Sequence, residues 1–250
     1  MHNLSSQPKA IFFDFGSTLI YTKDPWPPIY VRADRALLGK LNSAGIPLDL
    51  NEFSSEFETF LDNYYADRGT SVVEKTTLSS LKEILSMKGF PDVPEPTLRA
   101  ALDALYAVTQ KNWQLEKEAI PTLEILQKRG LRLGMISNTS DEDNVQQLLD
   151  RWGLRPYIEH IITSAGCGIR KPDERIFRLA LDQFNLLPQQ AAMVGDSPEA
   201  DILGAHRLGI YSIWIIRRVE NPDPGPIPPD AVVQNLSEIP SLIPGFPSSS

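Results

Sequence analysis

Asp14 closes an apolar run, Ala10-Ile11-Phe12-Phe13, and is followed by Phe15 and a Gly16-Ser17-Thr18 turn. Ser137-Asn138 closes a second such run, Lys171-Pro172 lies in the loop after a third, and Gly195-Asp196 closes a fourth, with Asp201 five positions on. A carboxylate beside a tight turn whose N–H groups can face an anion is placed to attack phosphorus and form an aspartyl phosphate. Attack by an anion on a phosphate dianion is electrostatically uphill, so the site needs positive charge near both groups. Asp196 and Asp201, one in a Gly-Asp turn and one near the start of the next helix, suit Mg2+, which takes a few carboxylates, waters and phosphate oxygens in an octahedral shell. Each residue alone has an ordinary use: Asp14, Ser137 and Asn138 as turn residues, Asp201 as a helix cap, Lys171 as a solvated loop lysine. The four segments in order, each behind a βα pattern, are what point to a site.

The elements that must position these residues follow from periodicity. A short apolar run at 10–15, bounded by Pro8 and the Gly16 turn, predicts a strand buried on both faces. From about Tyr21 to Glu116 the pattern becomes helical: Tyr30, Ala33, Leu37, Leu38 and Leu41; then Phe53, Phe57, Phe60 and Leu61; then Leu78, Leu81 and Leu85; then Leu98, Leu102 and Leu105. Gly45-Ile-Pro and Gly89-Phe-Pro punctuate this insert. Beyond it, helix and strand alternate: strands at 131–136, 158–163, 191–194 and 211–215, helices at 121–130, 144–152, 174–184 and 200–208. The expectation is an α/β fold, a Rossmann-like parallel sheet covered by helices on both faces, with an inserted all-helical cap. The boundaries expected are 1–21 with 117–250 for the core and 22–116 for the cap. Ligands in such sheets belong at the carboxyl ends of the strands, where Asp14, Ser137 and Asp196 fall. A Pro-rich surface connection at 221–229, an edge strand at 231–233, a short helix at 236–243 and a frayed tail at 247–250 complete the chain.

With 250 residues, 42% of them hydrophobic and 22% charged, the chain can bury a substantial core. A net charge of −8 and the lack of a Lys/Arg-rich run leave no electrostatic footprint for nucleic acid or an anionic membrane. Residues 1–9 lack the pattern of a secretory leader and no apolar run is long enough to span a bilayer, so the cytoplasm is the expected compartment. Cys167 is the single cysteine, which precludes an intrachain disulfide and reads as a small loop residue rather than a reactive thiol. The oligomeric state is not readable.

In order and spacing, from Asp14 to Trp214, these segments resemble the four motifs of the haloacid dehalogenase superfamily. Its members are mostly magnesium-dependent phosphatases with an aspartate nucleophile. The resemblance implies Asp14 as nucleophile and Lys171 as the bridge between that carboxylate and the transferring phosphoryl group. It implies Ser137, with Asn138 shaping its loop and Thr18 in the turn, as phosphate contacts. Asp14, the Gly16 carbonyl, Asp196 and Asp201 would serve as metal ligands. One position departs. Those phosphatases usually carry a second Asp, the general acid and base, where this chain has Gly16. A general acid contributes typically ~10² to 10⁴-fold, and glycine supplies none. Either the leaving group is a poor base, or the proton comes from metal-bound water, the substrate or the cap, with Tyr21, Lys23, Asp24 and Tyr30 nearest the hinge. The implied activity is hydrolysis of a small phosphorylated metabolite beneath a mobile helical lid. The alternatives are a 2-haloacid dehalogenase, a phosphonatase-like hydrolase using a desolvated Lys40, Lys75 or Lys82, or a phosphate-binding regulator that has lost turnover.

Overall fold

A computed structural model describes residues 8–55, 57, 59 and 72–243. The strands are, in chain order, β1 Ala10–Phe13, β2 Ile20–Thr22, β3 Trp113–Leu115, β4 Arg132–Ser137, β5 His160–Thr163, β6 Ala191–Gly195, β7 Tyr211–Ile215 and β8 Ala231–Val233. Six form one sheet in the order β5-β4-β1-β6-β7-β8, and every neighbouring pair is parallel. None of the six comes from residues 22–116.

β1 lies at the centre, paired with β4 on one side and β6 on the other, which explains its unbroken apolar run. Its side chains alternate between two cores. Ile11 and Phe13 pack with α4 (Ala119–Lys128) and α5 (Glu142–Arg151), while Ala10 and Phe12 pack with α6 (Glu174–Phe184) and α7 (Leu203–Leu208). With β1 pinned at mid-sheet, the loops after β1, β4 and β6 open side by side at the carboxyl edge. This is the crevice where an open α/β sheet takes its ligand.

The insert has its own apolar core. α1 (Pro27–Ser43) begins on two prolines, which suit a first helical turn because no N–H is lost there, and buries Ile29, Ala33, Leu37, Leu38 and Leu41. α2 (Thr77–Met87) and α3 (Glu95–Thr109) add Leu81, Leu85, Leu98, Leu102 and Leu105, and Phe53 stacks on Phe57 at 5.6 Å within the same cluster. Each fully buried leucine contributes about 1.5–3 kcal/mol, so the apolar stripes read from sequence supply the adhesion of this helical unit. Gly45 and Gly89 end α1 and α2 at φ of 83° and 87°, a region glycine enters without strain.

The stalk that carries the insert is strand rather than helix. β2 and β3 pair antiparallel, with Ile20 opposite Leu115 and Thr22 opposite Trp113. Helical periodicity had placed both segments at the ends of the insert without showing that they pair. The helix expected at 200–208 opens as a wide turn, Pro198–Ile202, before α7. The helix expected at 236–243 is a 3₁₀ turn, Leu236–Glu238, followed by Ile239–Leu242. Phe60, Leu61 and residues 247–250 lie outside the described residues.

Candidate active site

The carboxyl edge gathers six of the singled-out residues, Asp14, Ser137, Asn138, Lys171, Asp196 and Asp201. Asp14 follows β1, its N–H donating to the Val194 carbonyl at 2.8 Å, so the chain there is tied to β6. Lys171 Nζ donates to Asp14 Oδ1 at 2.6 Å, to Asp201 Oδ1 at 2.6 Å and to the Ile136 carbonyl at 2.7 Å. All three ammonium protons are therefore satisfied, and the lysine is 2% exposed, not the solvated loop residue that composition alone allows. Asn138 fixes its backbone, since the Lys171 N–H donates to Asn138 Oδ1 at 2.8 Å and Asn138 Nδ2 donates to the Lys171 carbonyl at 3.0 Å.

Asp201 is not merely a helix cap. Ser197 caps the turn by accepting from Ala200 N–H, while Asp201 Oδ2 accepts from Ser197 N–H at 3.0 Å and Oδ1 faces Lys171. Gly195 makes this approach possible. A Cβ there would lie 2.1 Å from Asp201 Oδ2, a distance no side chain tolerates. Trp214 Nε1 donates to the Asp196 carbonyl at 2.9 Å and holds the third loop.

Three carboxylates, those of Asp14 and Asp201 buried and that of Asp196 partly buried, face one lysine. Oxygens of Asp14, Asp196 and Asp201 lie within 4.8 Å of one another, and the imbalance appears in their protonation. Burial, followed by the charges of Asp14 and Asp201, pushes the Asp196 carboxyl up to about 8. Burial also raises Asp201, but the Lys171 ammonium opposes it and the value reaches only about 6. Burial works against the charge on Lys171, yet Asp14 and Asp201 together outweigh it and hold its pKa above the ordinary lysine value. A site with excess buried negative charge, all of it on hard oxygen donors, fits a small divalent cation.

Above these residues lies a cavity of about 870 Å³, lined on the core side by Asp14, Gly16, Ser137, Lys171 and Asp196 and on the insert side by Trp26, Tyr30, Asp34, Phe57 and Tyr106. The insert is latched down by polar contacts. Thr77 N–H donates to the Ser140 carbonyl at 2.9 Å, Thr77 Oγ1 meets Ser140 Oγ at 2.8 Å, and Tyr106 Oη donates to Thr77 Oγ1 at 2.9 Å. Arg99 grips Asp141 with 2.9 and 3.2 Å contacts, and Gln110 reaches Asn144 and Gln147. At the stalk, buried Glu116 is paired with Arg217 and Arg218, and Arg218 lies 3.6 Å over the Tyr21 ring.

Not every expected residue reaches the cavity. Thr18, expected to offer a hydroxyl or backbone contact, is 0% exposed and does not line it, and its Oγ1 has no hydrogen-bond partner among the described residues. The neighbouring Ser17, at a φ of 60°, does line it. Asn138 lines the cavity, but its amide is engaged with the Lys171 backbone and positions that loop. Of the four hinge candidates only Tyr30 lines the cavity; Lys23 and Asp24 are exposed and Tyr21 sits under Arg218. Lys40 is exposed, and Lys75 and Lys82 are about half exposed in ion pairs with Glu83 and Glu95, so none of the three is the desolvated amine a Schiff base needs. Burial raises the Cys167 thiol pKa, which makes it less nucleophilic and agrees with an inert loop residue.

Residues 8–209 match the family model for haloacid dehalogenase-like hydrolases. The chain belongs to that family. A glyceraldehyde 3-phosphate phosphatase of Methanothermobacter thermautotrophicus is 30% identical over 211 residues, covering 83% of this chain and 85% of that one. A phosphoserine phosphatase of Thermus thermophilus is 35% identical over 130 residues; that match spans about half of either chain, 52% and 51%. Among solved structures, a 2-haloacid dehalogenase from Pseudomonas syringae superposes with a TM-score of 0.66 at 26% identity, covering 94% of this chain and 97% of that one. The chain is thus a haloacid dehalogenase-like hydrolase, and no helix among its described residues is long and apolar enough to cross a membrane.

Sequence reasoning missed Trp113, Asp34 and Arg170, all of which line the cavity of this hydrolase. Asp34 lies on α1 between apolar positions and reads as part of a solvated face, yet it is 5% exposed. Trp113 sits in a three-residue strand, too short to display a period.

Proposed function

We propose that the protein is a Mg2+-dependent phosphatase of a small phosphorylated metabolite, with Asp14 as nucleophile and the helical unit at 22–116 as a lid over the core formed by 1–21 and 117–250. The observation that carries this reading is the arrangement of three carboxylates around one fully buried, triply hydrogen-bonded Lys171 at the carboxyl edge of the sheet. Phosphatase relatives that cover most of the chain support the same class of substrate. Asp14 Oδ attacks phosphorus and the ester P–O bond breaks. Water then attacks the aspartyl phosphate at phosphorus, releasing phosphate and restoring Asp14. Lys171 stays protonated throughout and offsets charge on the attacking carboxylate and the arriving phosphoryl oxygens. Ser137 and the N–H groups of the Gly16-Ser17 turn receive those oxygens, and Asn138 keeps Lys171 in register. A divalent cation held by Asp14, Asp196 and the Gly16 carbonyl, with Asp201 behind them, would neutralise the remaining phosphate charge.

The experiment is a panel of phosphomonoesters assayed with Mg2+, with EDTA, and with Asp14→Asn. Reversible loss in EDTA and complete loss in the variant are expected. The solved 2-haloacid dehalogenase with the same fold makes a haloacid the natural control. Chloride or bromide release that survives EDTA, with no phosphate release, would move the protein to that chemistry.

A further inference from the structure

Gly16 leaves open the place where a side chain would stand beside the nucleophile, and an indole borders it. A Cβ built on Gly16 would lie 3.5 Å from Trp113 Cη2 and 3.9 Å from Cζ3, and no other described group beyond the adjoining residues comes within 4 Å. Among the described residues beyond the two adjoining ones, no carboxyl, hydroxyl or imidazole comes within 4 Å of that Cβ. Trp113 is the first of three rings in contact. Its ring packs edge-on against Trp26 at 5.6 Å, and Trp26 stacks on Tyr30 at 5.3 Å with the planes 8° apart. All three rings line the cavity together with Phe15, Ile20 and Phe57. The wall beside Gly16 is therefore aromatic, and Tyr30 and Asp34 of α1 are polar groups that also line the cavity.

The Trp113 indole beside Gly16 is no acid for a departing oxygen, but with its neighbouring rings it can hold a flat apolar group by stacking and exclude water around it. An alkoxide needs that proton to leave, whereas a phenolate-like oxygen departs as a stable anion. Resting on the phosphatase reading above, we infer that the substrate is a phosphate ester of an aromatic or heteroaromatic hydroxyl, whose ring lies against Trp113 and its neighbours. Trp113 is thus the specificity-determining residue. In the first step the Asp14 carboxylate forms its bond to phosphorus while the aryl C–O oxygen keeps the electron pair of the breaking P–O bond. That oxygen takes its proton later, from solvent.

Three substrates separate the possibilities: phenyl phosphates of graded acidity, acetyl phosphate and an alkyl phosphate such as glycerol phosphate, each assayed with Mg2+ in the wild type and in Asp14→Asn. The expected order of kcat/KM is aryl, then acetyl, then alkyl, with aryl at least about 10²-fold above alkyl and kcat falling steeply as the phenol becomes less acidic. Trp113→Leu should lower the aryl-to-acetyl ratio of kcat/KM about 3- to 10-fold, and Trp113→Phe, which keeps a ring, should recover most of it. Asp14-dependent turnover of the alkyl ester as fast as the aryl one would overturn the inference and leave the phosphatase reading standing. If that alkyl turnover were lost in Asp34→Asn or Tyr30→Phe, α1 would be the source of the proton. Hydrolysis of none of the three would instead sink the phosphatase reading itself.

Discussion

Asn138 holds the backbone of Lys171 with both ends of its side-chain amide, accepting from the Lys171 N–H at 2.8 Å and donating to its carbonyl at 3.0 Å. The two residues come from different loops, and this pair of bonds sets how far the lysine reaches toward Asp14 and Asp201. Asn138→Ala should leave the fold intact, because its loop remains tied by the Thr139 N–H bond to Ser164 Oγ. It should lower kcat about 10- to 100-fold with little change in KM, the cost of leaving two backbone groups without partners being about 1–3 kcal/mol. Steady-state kinetics with circular dichroism checks this. An unchanged kcat would mean that the clamp does not position the lysine.

Asp196 should weaken the metal-free protein. Its folded pKa of about 8 stands above the ordinary value of 3.8, so its stabilising contribution is present below about pH 4 and is lost as pH rises through about 8. Asp196→Asn removes that ionisation. In EDTA the variant should melt higher than wild type, by a margin that is largest at pH 8 to 9 and absent near pH 4. Adding Mg2+ should raise Tm of the wild type and not of the variant. Scanning calorimetry across this range, with and without the ion, reads both effects.

Arg99 ties α3 to Asp141, whose other task is to cap α5 by accepting from Asn144 N–H at 2.9 Å. Arg99→Ala keeps that cap but removes a grip between insert and core on a carboxylate that is almost fully buried. The loss of bonds to a charged group, worth about 1.5–3 kcal/mol, should favour an open lid. Raised KM, faster hydrogen exchange in α3 and little change in global Tm are expected. A Tm drop with unchanged KM would assign Arg99 to stability alone.

Gly16→Asp tests the space beside the nucleophile. Gly16 is not in the left-handed region and a Cβ meets only ordinary contacts, so the backbone accepts a side chain. The carboxyl beyond that Cβ would meet the Trp113 ring. The single variant should therefore gain nothing on an alkyl phosphate, whereas Gly16→Asp with Trp113→Ala should gain at least about tenfold as a proton donor finds room. A gain in the single variant equal to that in the double one would show that the indole does not crowd this position.

Much of this was legible because the core elements are short, apolar and buried on both faces, and such strands declare themselves by composition. Asp14, Ser137 and Asp196 each follow one of these runs, so a parallel sheet brings them together whatever the details of the loops. Lys171 could be placed in its loop, but only tertiary packing decides that its ammonium is buried between Asp14 and Asp201. Thr18 is buried whereas Ser17, at a φ of 60°, lines the cavity, and no local sequence pattern shows which of the two faces it. Trp113 was invisible for a similar reason. Its strand exists only because Thr22, ninety-one positions earlier, pairs with it.

The central claim is that Asp14 carries the phosphoryl group. Rapid acid quench of the enzyme turning over an aryl phosphate with Mg2+, followed by peptide mass spectrometry, reads it directly. The account predicts a phosphoryl adduct on the peptide containing Asp14, absent in EDTA and in Asp14→Asn. Undiminished phosphate release by Asp14→Asn, with no adduct on that peptide in the wild type, would contradict it.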